Sequence, residues 1–236
     1  MITVSIVSHG HGLIVPMLVK QLLSCSEISL IIITFNIPEN AKLFPLDPKI
    51  LYINNKKPKG YGSNHNAAFG KTTSKYFCVL NPDIELIENP FPSLIRCLKT
   101  SNAKLVAPIV ISKLGENEDS MRYSPTIKSL LKKLFFGDDG RYRHSSNENT
   151  IFPDWVAGMF MLFDSITYQS IGGFDESFFM YYEDVDICER IWKSENTLAG
   201  DLSIRVIHDA QRASRKNFKH MLWHISSMIR YLWRYR

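Results

Sequence analysis

Residues 76–85 read Tyr76-Phe77-Cys78-Val79-Leu80-Asn81-Pro82-Asp83-Ile84-Glu85: an unbroken apolar run, a turn-forming Asn-Pro pair, then a carboxylate. A run this short, apolar at every position, predicts a strand buried on both faces, and Pro82 ends it. The same grammar recurs outward along the chain. Strand-length apolar runs at 3–8, 29–35, 50–53 and 104–107 alternate with helical patterns at 13–23, 63–69 and 90–99. Strands joined by crossover helices make an α/β fold. In open sheets of that class ligands bind beyond the carboxyl ends of the strands, which is where Asp83 falls. A carboxylate there can hold a divalent cation that neutralises a diphosphate; Asn-Pro-Asp is equally good turn chemistry.

The rest of the chain sets bounds. Its 236 residues, 45% of them apolar, can bury one large core but not two full domains. The opening residues MITVSIVS enter a strand pattern without a basic or apolar leader, so export is not expected. Four scattered cysteines form no C-x-x-C pair and predict buried, reduced thiols. Polar residues 115–150 contain one basic amphipathic piece at 126–136, then clusters of turn formers at 137–140 and 145–149. Residues 155–163 predict a strand, 182–192 a helix, 203–207 a last short strand. Residues 218–233 predict a closing helix with Phe218, Met221, Leu222, Ile225, Ile229 and Leu232 on one face. No run of 18 apolar residues is present.

The net charge of +5 is uneven: residues 203–236 carry eight Lys/Arg against the single acid Asp209, a local +7. Arg215, Lys216, Lys219, Arg230, Arg234 and Arg236, interleaved with Trp223, Trp233 and Tyr235, suit a helix lying on an anionic membrane; a helix docked on the domain has the same composition. Nucleic acid also attracts such charge, but no base-reading motif accompanies it.

A second informative stretch is Gly172-Gly173-Phe174-Asp175-Glu176, followed by Phe178-Phe179-Met180-Tyr181-Tyr182-Glu183-Asp184-Val185-Asp186-Ile187-Cys188-Glu189-Arg190. Acids at a helix start suit the positive end of its dipole. Directly after an aromatic run, they also suit a sugar-binding wall with a base beside it, placed to take a proton from a hydroxyl. Of Trp155, Phe178, Phe179, Tyr181 and Tyr182, two are expected at such a wall and the rest in the core.

Residues 172–190 resemble the G-G-F-D-E-x-F-F-M-Y-x-E-D-x-D-x-x-x-R signature of family 2 glycosyltransferases, in particular the branch with bacterial rhamnosyltransferases. The resemblance extends in order through Ser8, the turn Gly60 to Asn66, Leu80 to Asp83, Trp155 to Gly158, the signature and His208. It implies a GT-A fold: residues 1–214 as one catalytic domain with a mixed central sheet, 1–110 a Rossmann-like nucleotide-sugar half and 111–214 the acceptor half, with 215–236 a basic amphipathic helix. It gives Asp184 the role of base, with Glu183 positioning base or acceptor. Asp83 and His208 become ligands to Mn²⁺ or Mg²⁺. Ser8, Asn36, Gly60, Gly62, Asn66, Asn81 and Asp83 face the donor, with Asn66 the best single nucleotide contact; Trp155, Gly158, Phe179 and Tyr181 face the acceptor. The implied reaction moves a sugar with inversion, L-rhamnose from dTDP-rhamnose being favoured over a UDP-hexose or UDP-galactofuranose. The implied acceptor is a polyprenyl-diphosphate glycan at the cytoplasmic face of a bacterial plasma membrane.

Two positions depart from the family pattern. Asn81 replaces the first acid of the Asp-x-Asp element, and Phe35-Asn36 stands where an acid often ends the second strand. A catalytically silent sugar-nucleotide-binding subunit is the rival reading, set against by the presence of Asp83, Asp184 and His208. A nucleotidyltransferase would need Arg or Lys in the loop Ser8-His9-Gly10-His11-Gly12, which has neither.

Overall fold

The computed structural model describes residues 1–118, 120–126, 128, 140–142, 148–208 and 218–235. Most of the basic piece at 126–136 and of the turn-former clusters lies outside the described residues, as do Arg215, Lys216 and Arg236.

Among the described residues the order is β1 (Ile2–Ser8), α1 (Ile14–Leu23), β2 (Ile28–Phe35), β3 (Ile50–Asn54), α2 (Tyr61–Phe69), β4 (Tyr76–Leu80), β5 (Ile84–Leu86), α3 (Phe91–Ser101), β6 (Leu105–Ile111), β7 (Met121–Arg122), β8 (Thr150–Ile151), β9 (Trp155–Val156), β10 (Phe160–Asp164), α4 (Ser165–Ser170), α5 (Glu183–Lys193), β11 (Leu198–His208) and α6 (Phe218–Tyr235). One mixed sheet runs β3-β2-β1-β4-β10-β6-β11-β5, with β8 also on β11; β7 and β9 form a separate ribbon. Period-2 alternation sorts the side chains into two layers. Ile2, Val4, Ile6, Cys78, Leu80, Phe160 and Leu162 face α1 and α3, whereas Phe77, Val79, Met161 and Phe163 face α4 and α5.

Two expectations need correction. Residues 155–163 are not one strand: Ala157 N–H bonds Ser120 O, so 155–156 pair with β7 while 160–164 enter the main sheet. The last strand is not the short 203–207 but an 11-residue element starting at Leu198. A register shift between Asp201 and Arg205 masks its period, and Asp201 Oδ1 accepts bonds from Ser203 N–H and Oγ–H there. Its partner β6 runs on to Ile111 past Pro108, because Pro108 lies opposite Asp201 at that irregularity, where a missing N–H costs little. The closing helix forms as expected, and most of its apolar face points away from the domain: Phe218, Met221, Leu222, Ile225 and Ile229 are exposed, Leu232 packs partly against the Phe178, Tyr182, Val185 and Tyr231 cluster, and α6 docks chiefly through Ser227 and Tyr231. Among the described residues no helix is long and apolar enough to cross a membrane.

Candidate active site

Strand direction decides which side chains meet. β1 to β4 are mutually parallel, and β10 is antiparallel to both β4 and β6, so β6 and its parallel partner β11 point the same way as β4. The exits of β1, β2, β4, β6 and β11 and the entrance of β10 therefore share one edge. Ser8, Asn36, Asn81, Asp83, Gly158 and His208 are all delivered to it.

His208 closes β11 between two neighbours. On one side β5 pairs His208 with Ile84, placing Asp83 one residue away; Asp83 Oδ1 lies 3.3 Å from Nε2. This buried oxygen makes no hydrogen bond of acceptable geometry. On the other side, β6 is followed by a tight turn at Ser112 to Gly115, and Glu118 N–H bonds back to Val110 O. Glu118 Oε2 is thereby set 2.9 Å from His208 Nδ1. Burial works against a charged imidazole, but the flanking Asp83 and Glu118 carboxylates outweigh it and raise the His208 pKa. A position that favours an imidazolium this way favours positive charge in general. Glu118 carries no signal in the sequence; only the β6 and β11 register brings it here.

Asp184 opens α5. Its Oδ2 accepts Gly158 N–H at 3.0 Å and its Oδ1 accepts Val185 N–H at 2.9 Å. Burial raises the pKa of Asp184, opposed by those backbone donors and by Arg122. Gly158 O accepts the Tyr61 hydroxyl, which lies 3.5 Å from Asn81 Oδ1, while Asn81 N–H bonds Met159 O at 2.9 Å. Tyr61 thus ties the Asp184 end of the edge to the Asp83 end, a role invisible in sequence. Glu183 is fully desolvated, its Oε2 without a partner; burial first and the Asp184 charge second push its pKa well up.

On the donor side, the polar groups of the Gly60 to Asn66 turn are directed to protein. A Cβ on Gly60 would meet Phe179 O at 2.7 Å, and one on Gly62 would meet Phe174 Cβ at 2.6 Å. The close backbone approach these glycines permit is thus made by the chain's own 174–179 loop. Asn66 donates to Phe174 O at 2.8 Å and accepts from Phe174 N–H and Tyr168 O–H, so it staples that loop rather than offering a free amide to a nucleotide. Asn36 is likewise engaged, accepting from Lys59 N–H and Asn55 Nδ2–H and donating to Lys59 O. Glu39, not foreseen, returns a carboxylate to the end of β1, accepting Ser8 Oγ–H and Gly10 N–H, both at 2.9 Å.

Of the five aromatics, Phe178 and Tyr182 are core, packed with Val185 and Tyr231. Trp155 donates Nε1–H to Tyr123 O and lies under Arg122. Phe179 stacks on Trp223, and the Tyr181 hydroxyl pairs with His220 Nδ1 at 2.9 Å. Tyr181 and Tyr182 both adopt left-handed backbone, φ 71° and 65°, a conformation costly for bulky residues, immediately before the acids of α5.

Comparison with known proteins fits this geometry. Residues 34–186 match the family Glycosyl transferase family 2. The chain is 27% identical over 250 residues to the rhamnosyltransferase WbbL of Escherichia coli K12, covering 100% of this chain and 94% of that protein. It is 34% identical over 98 residues to the N-acetylglucosaminyl-diphospho-decaprenol L-rhamnosyltransferase of Mycobacterium tuberculosis, covering 39% of this chain and 30% of that one. Among solved structures it superposes on GalNAc-T7 with UDP, GalNAc and Mn²⁺ at TM-score 0.68 and 15% identity, covering 89% of this chain and 44% of that chain.

Proposed function

The chain is a glycosyltransferase of family 2 with the GT-A fold, and from that premise we propose that it moves L-rhamnose from dTDP-rhamnose, with inversion, to a polyprenyl-diphosphate-linked glycan in bacterial surface-polysaccharide synthesis. The similarity to WbbL along the full chain supports the sugar, and the decaprenol-linked substrate named for the mycobacterial relative supports the acceptor. The observation that carries the reading is the meeting, at one sheet edge, of the Asp83 and His208 pair with Asp184.

The Asp83 and His208 pair fits a hard divalent cation. Asp83 Oδ1 is buried without a hydrogen bond, and Nε2 stands beside it. Among the described residues no three His, Cys, Asp or Glu side chains form a ready-made cage. When bound, Mn²⁺ or Mg²⁺ neutralises charge on the departing nucleotide. Glu118 accepts a hydrogen bond from His208 Nδ1–H, which leaves Nε2 as the nitrogen that would meet a cation beside Asp83. Asp184, oriented by Gly158 and Val185 N–H, takes the acceptor hydroxyl proton as that oxygen attacks the anomeric carbon opposite the diphosphate. Glu183, which burial makes reluctant to ionise, positions the start of α5. Glu39, held to Ser8 and Gly10, stands in for the acid missing at Phe35 and faces the nucleoside. Residues 1–110 serve the donor and 111–214 the acceptor, while 215–236 bring the enzyme to the cytoplasmic, anionic face of the membrane.

Thermal shift with nucleotide sugars tests the donor and the metal together. A ligand at about 100 times its Kd stabilises the folded state by about 2.7 kcal/mol. dTDP-rhamnose is expected to do so with Mn²⁺ present, and not in Asp83→Asn or His208→Ala. Full turnover by chelator-treated enzyme, or an unchanged Mn²⁺ response in both variants, would overturn the metal assignment.

A further inference from the structure

The helix α6 has two opposite faces with different chemistry. One stripe, at helical spacing, is His220, His224, Ser227, Tyr231 and Tyr235, and it grips residues 175–189. Ser227 Oγ–H bonds Met180 O at 2.9 Å, Tyr231 O–H bonds Glu189 at 2.7 Å, and Tyr235 O–H bonds Asp186 at 2.7 Å. Arg234 bridges Asp175 at 2.6 Å and Asp186 at 3.0 Å. Rings of His224 and Tyr231 lie 5.4 Å from that of Tyr182. These contacts hold the left-handed Tyr181 and Tyr182 pair that leads into Asp184.

The other stripe, half a turn away, is Phe218, Leu222, Ile225, Ile229 and Trp233. Phe218 is 68% exposed, Ile229 59% and Trp233 89%, whereas Tyr231 is fully buried. Lys219 and Arg230 flank it. An apolar stripe bordered by bases, in a segment whose local charge is +7, matches the acyl boundary of an anionic bilayer. A second copy of this chain is a poor occupant, since a twofold contact through this face would set two such charged segments against each other.

We propose that α6 inserts the Phe218, Leu222, Ile225, Ile229 stripe into anionic lipid while its inner face fixes the Tyr181 and Tyr182 turn, so that docking on the bilayer and placement of Asp184 are properties of one rigid helix. This rests on the proposed function for the role of Asp184 and for the membrane attachment of 215–236, to which it adds the inserting stripe and the coupling to the Tyr181 and Tyr182 turn.

The test is sedimentation of the full chain with vesicles of phosphatidylglycerol and phosphatidylethanolamine, or of phosphatidylcholine alone, in low and high salt. The wild type is expected to bind the anionic vesicles and to be released by salt. The double variant Ile225→Glu, Ile229→Glu is expected to lose at least tenfold in binding while keeping its melting temperature and its thermal response to donor and Mn²⁺. A second variant, Ser227→Ala with Tyr231→Phe, removes inner-face hydrogen bonds; it is expected to bind vesicles as the wild type does but to lose kcat more than donor KM on a water-soluble acceptor. Wild-type protein that ignores anionic vesicles, or a glutamate pair that binds them unchanged, would overturn the proposal. So would a wild-type dimer that the glutamate pair converts to monomer without altering vesicle binding. Retained donor response in any of these outcomes leaves the transferase reading standing, so the two can fail separately.

Discussion

Asp83 and the Glu183 and Asp184 pair sit at the same edge of the sheet, yet their surroundings are of opposite kinds. Around Asp83 the nearest partner is an imidazole held between two carboxylates, so the locale is organised around positive charge. Around Asp184 the opposition to burial comes from backbone N–H groups and Arg122, and its neighbour Glu183 lacks a partner for one oxygen. The first setting gathers carboxylates around an imidazole whose pKa they raise, whereas burial in the second makes carboxylates reluctant to ionise and therefore more basic. The same residue type is thus set in two environments, one that favours positive charge and one that burial makes hostile to charge.

The sharpest way to break that contrast is Asp184→Asn. The amide still accepts Val185 N–H but turns its NH₂ toward Gly158 N–H, costing about 1 to 3 kcal/mol of stability for one unsatisfied buried donor. Loss of the base is expected to lower kcat by about a hundredfold to ten-thousandfold, far beyond that structural cost. Steady-state rates alongside thermal melts separate the two effects; near-normal turnover in a folded variant would remove Asp184 from the base role.

A smaller effect is expected at Glu118. Glu118→Ala frees the ring of His208 and is expected to weaken Mn²⁺ binding by about ten- to a hundredfold, with kcat at saturating Mn²⁺ close to wild type. Glu118→Gln, whose amide oxygen can still accept a hydrogen bond from Nδ1–H, is expected to fall between. Calorimetric titration of Mn²⁺ in the presence of nucleotide reads this directly. Equal affinity in all three proteins would leave Glu118 a bystander.

The contrast also marks what a sequence can convey. The apolar runs at 3–8, 29–35 and 76–80 fix strand positions because burial on both faces leaves little else for them to be, and the carboxyl-edge rule then places Asp83. The proximity of Asp83 and His208 was legible through family resemblance, not through their spacing. Glu118 was not legible at all: it lies 90 residues from His208 in a polar stretch, and strand register alone joins them. The glycines of the 60–66 turn advertised a close approach without saying by what, and what approaches them is the chain's own Phe174 and Phe179. For α6 the hydrophobic periodicity marked the apolar stripe but left open whether that stripe met the domain or faced away from it. The docked face is built from Ser, Tyr, His and Arg: Tyr231, Tyr235 and Arg234 bond acids of α5, Ser227 bonds Met180 O and His220 pairs with the Tyr181 hydroxyl, so the aliphatic stripe is left outward.

Glu183 offers the mildest test. Burial and the adjacent Asp184 charge raise its pKa in the folded chain well above the ordinary glutamate range. The unfolded chain ionises near its usual value, about 4.3. Below that pH both states are protonated and Glu183 contributes no penalty. As pH rises above it the unfolded state alone sheds the proton, and stability falls progressively until the folded pKa is reached. Glu183→Gln keeps the shape and carries no proton to lose, so its stability is expected to decline less steeply over that window. The variant should therefore be at least as stable as wild type at neutral pH, and at most slightly different below the glutamate range. Denaturant melts across this pH series check the slope. A variant that is destabilised at neutral pH with the wild-type slope intact would mean that Glu183 is ionised and paired in the folded protein, and the environment around Asp184 would then be far less hostile to charge than its burial implies.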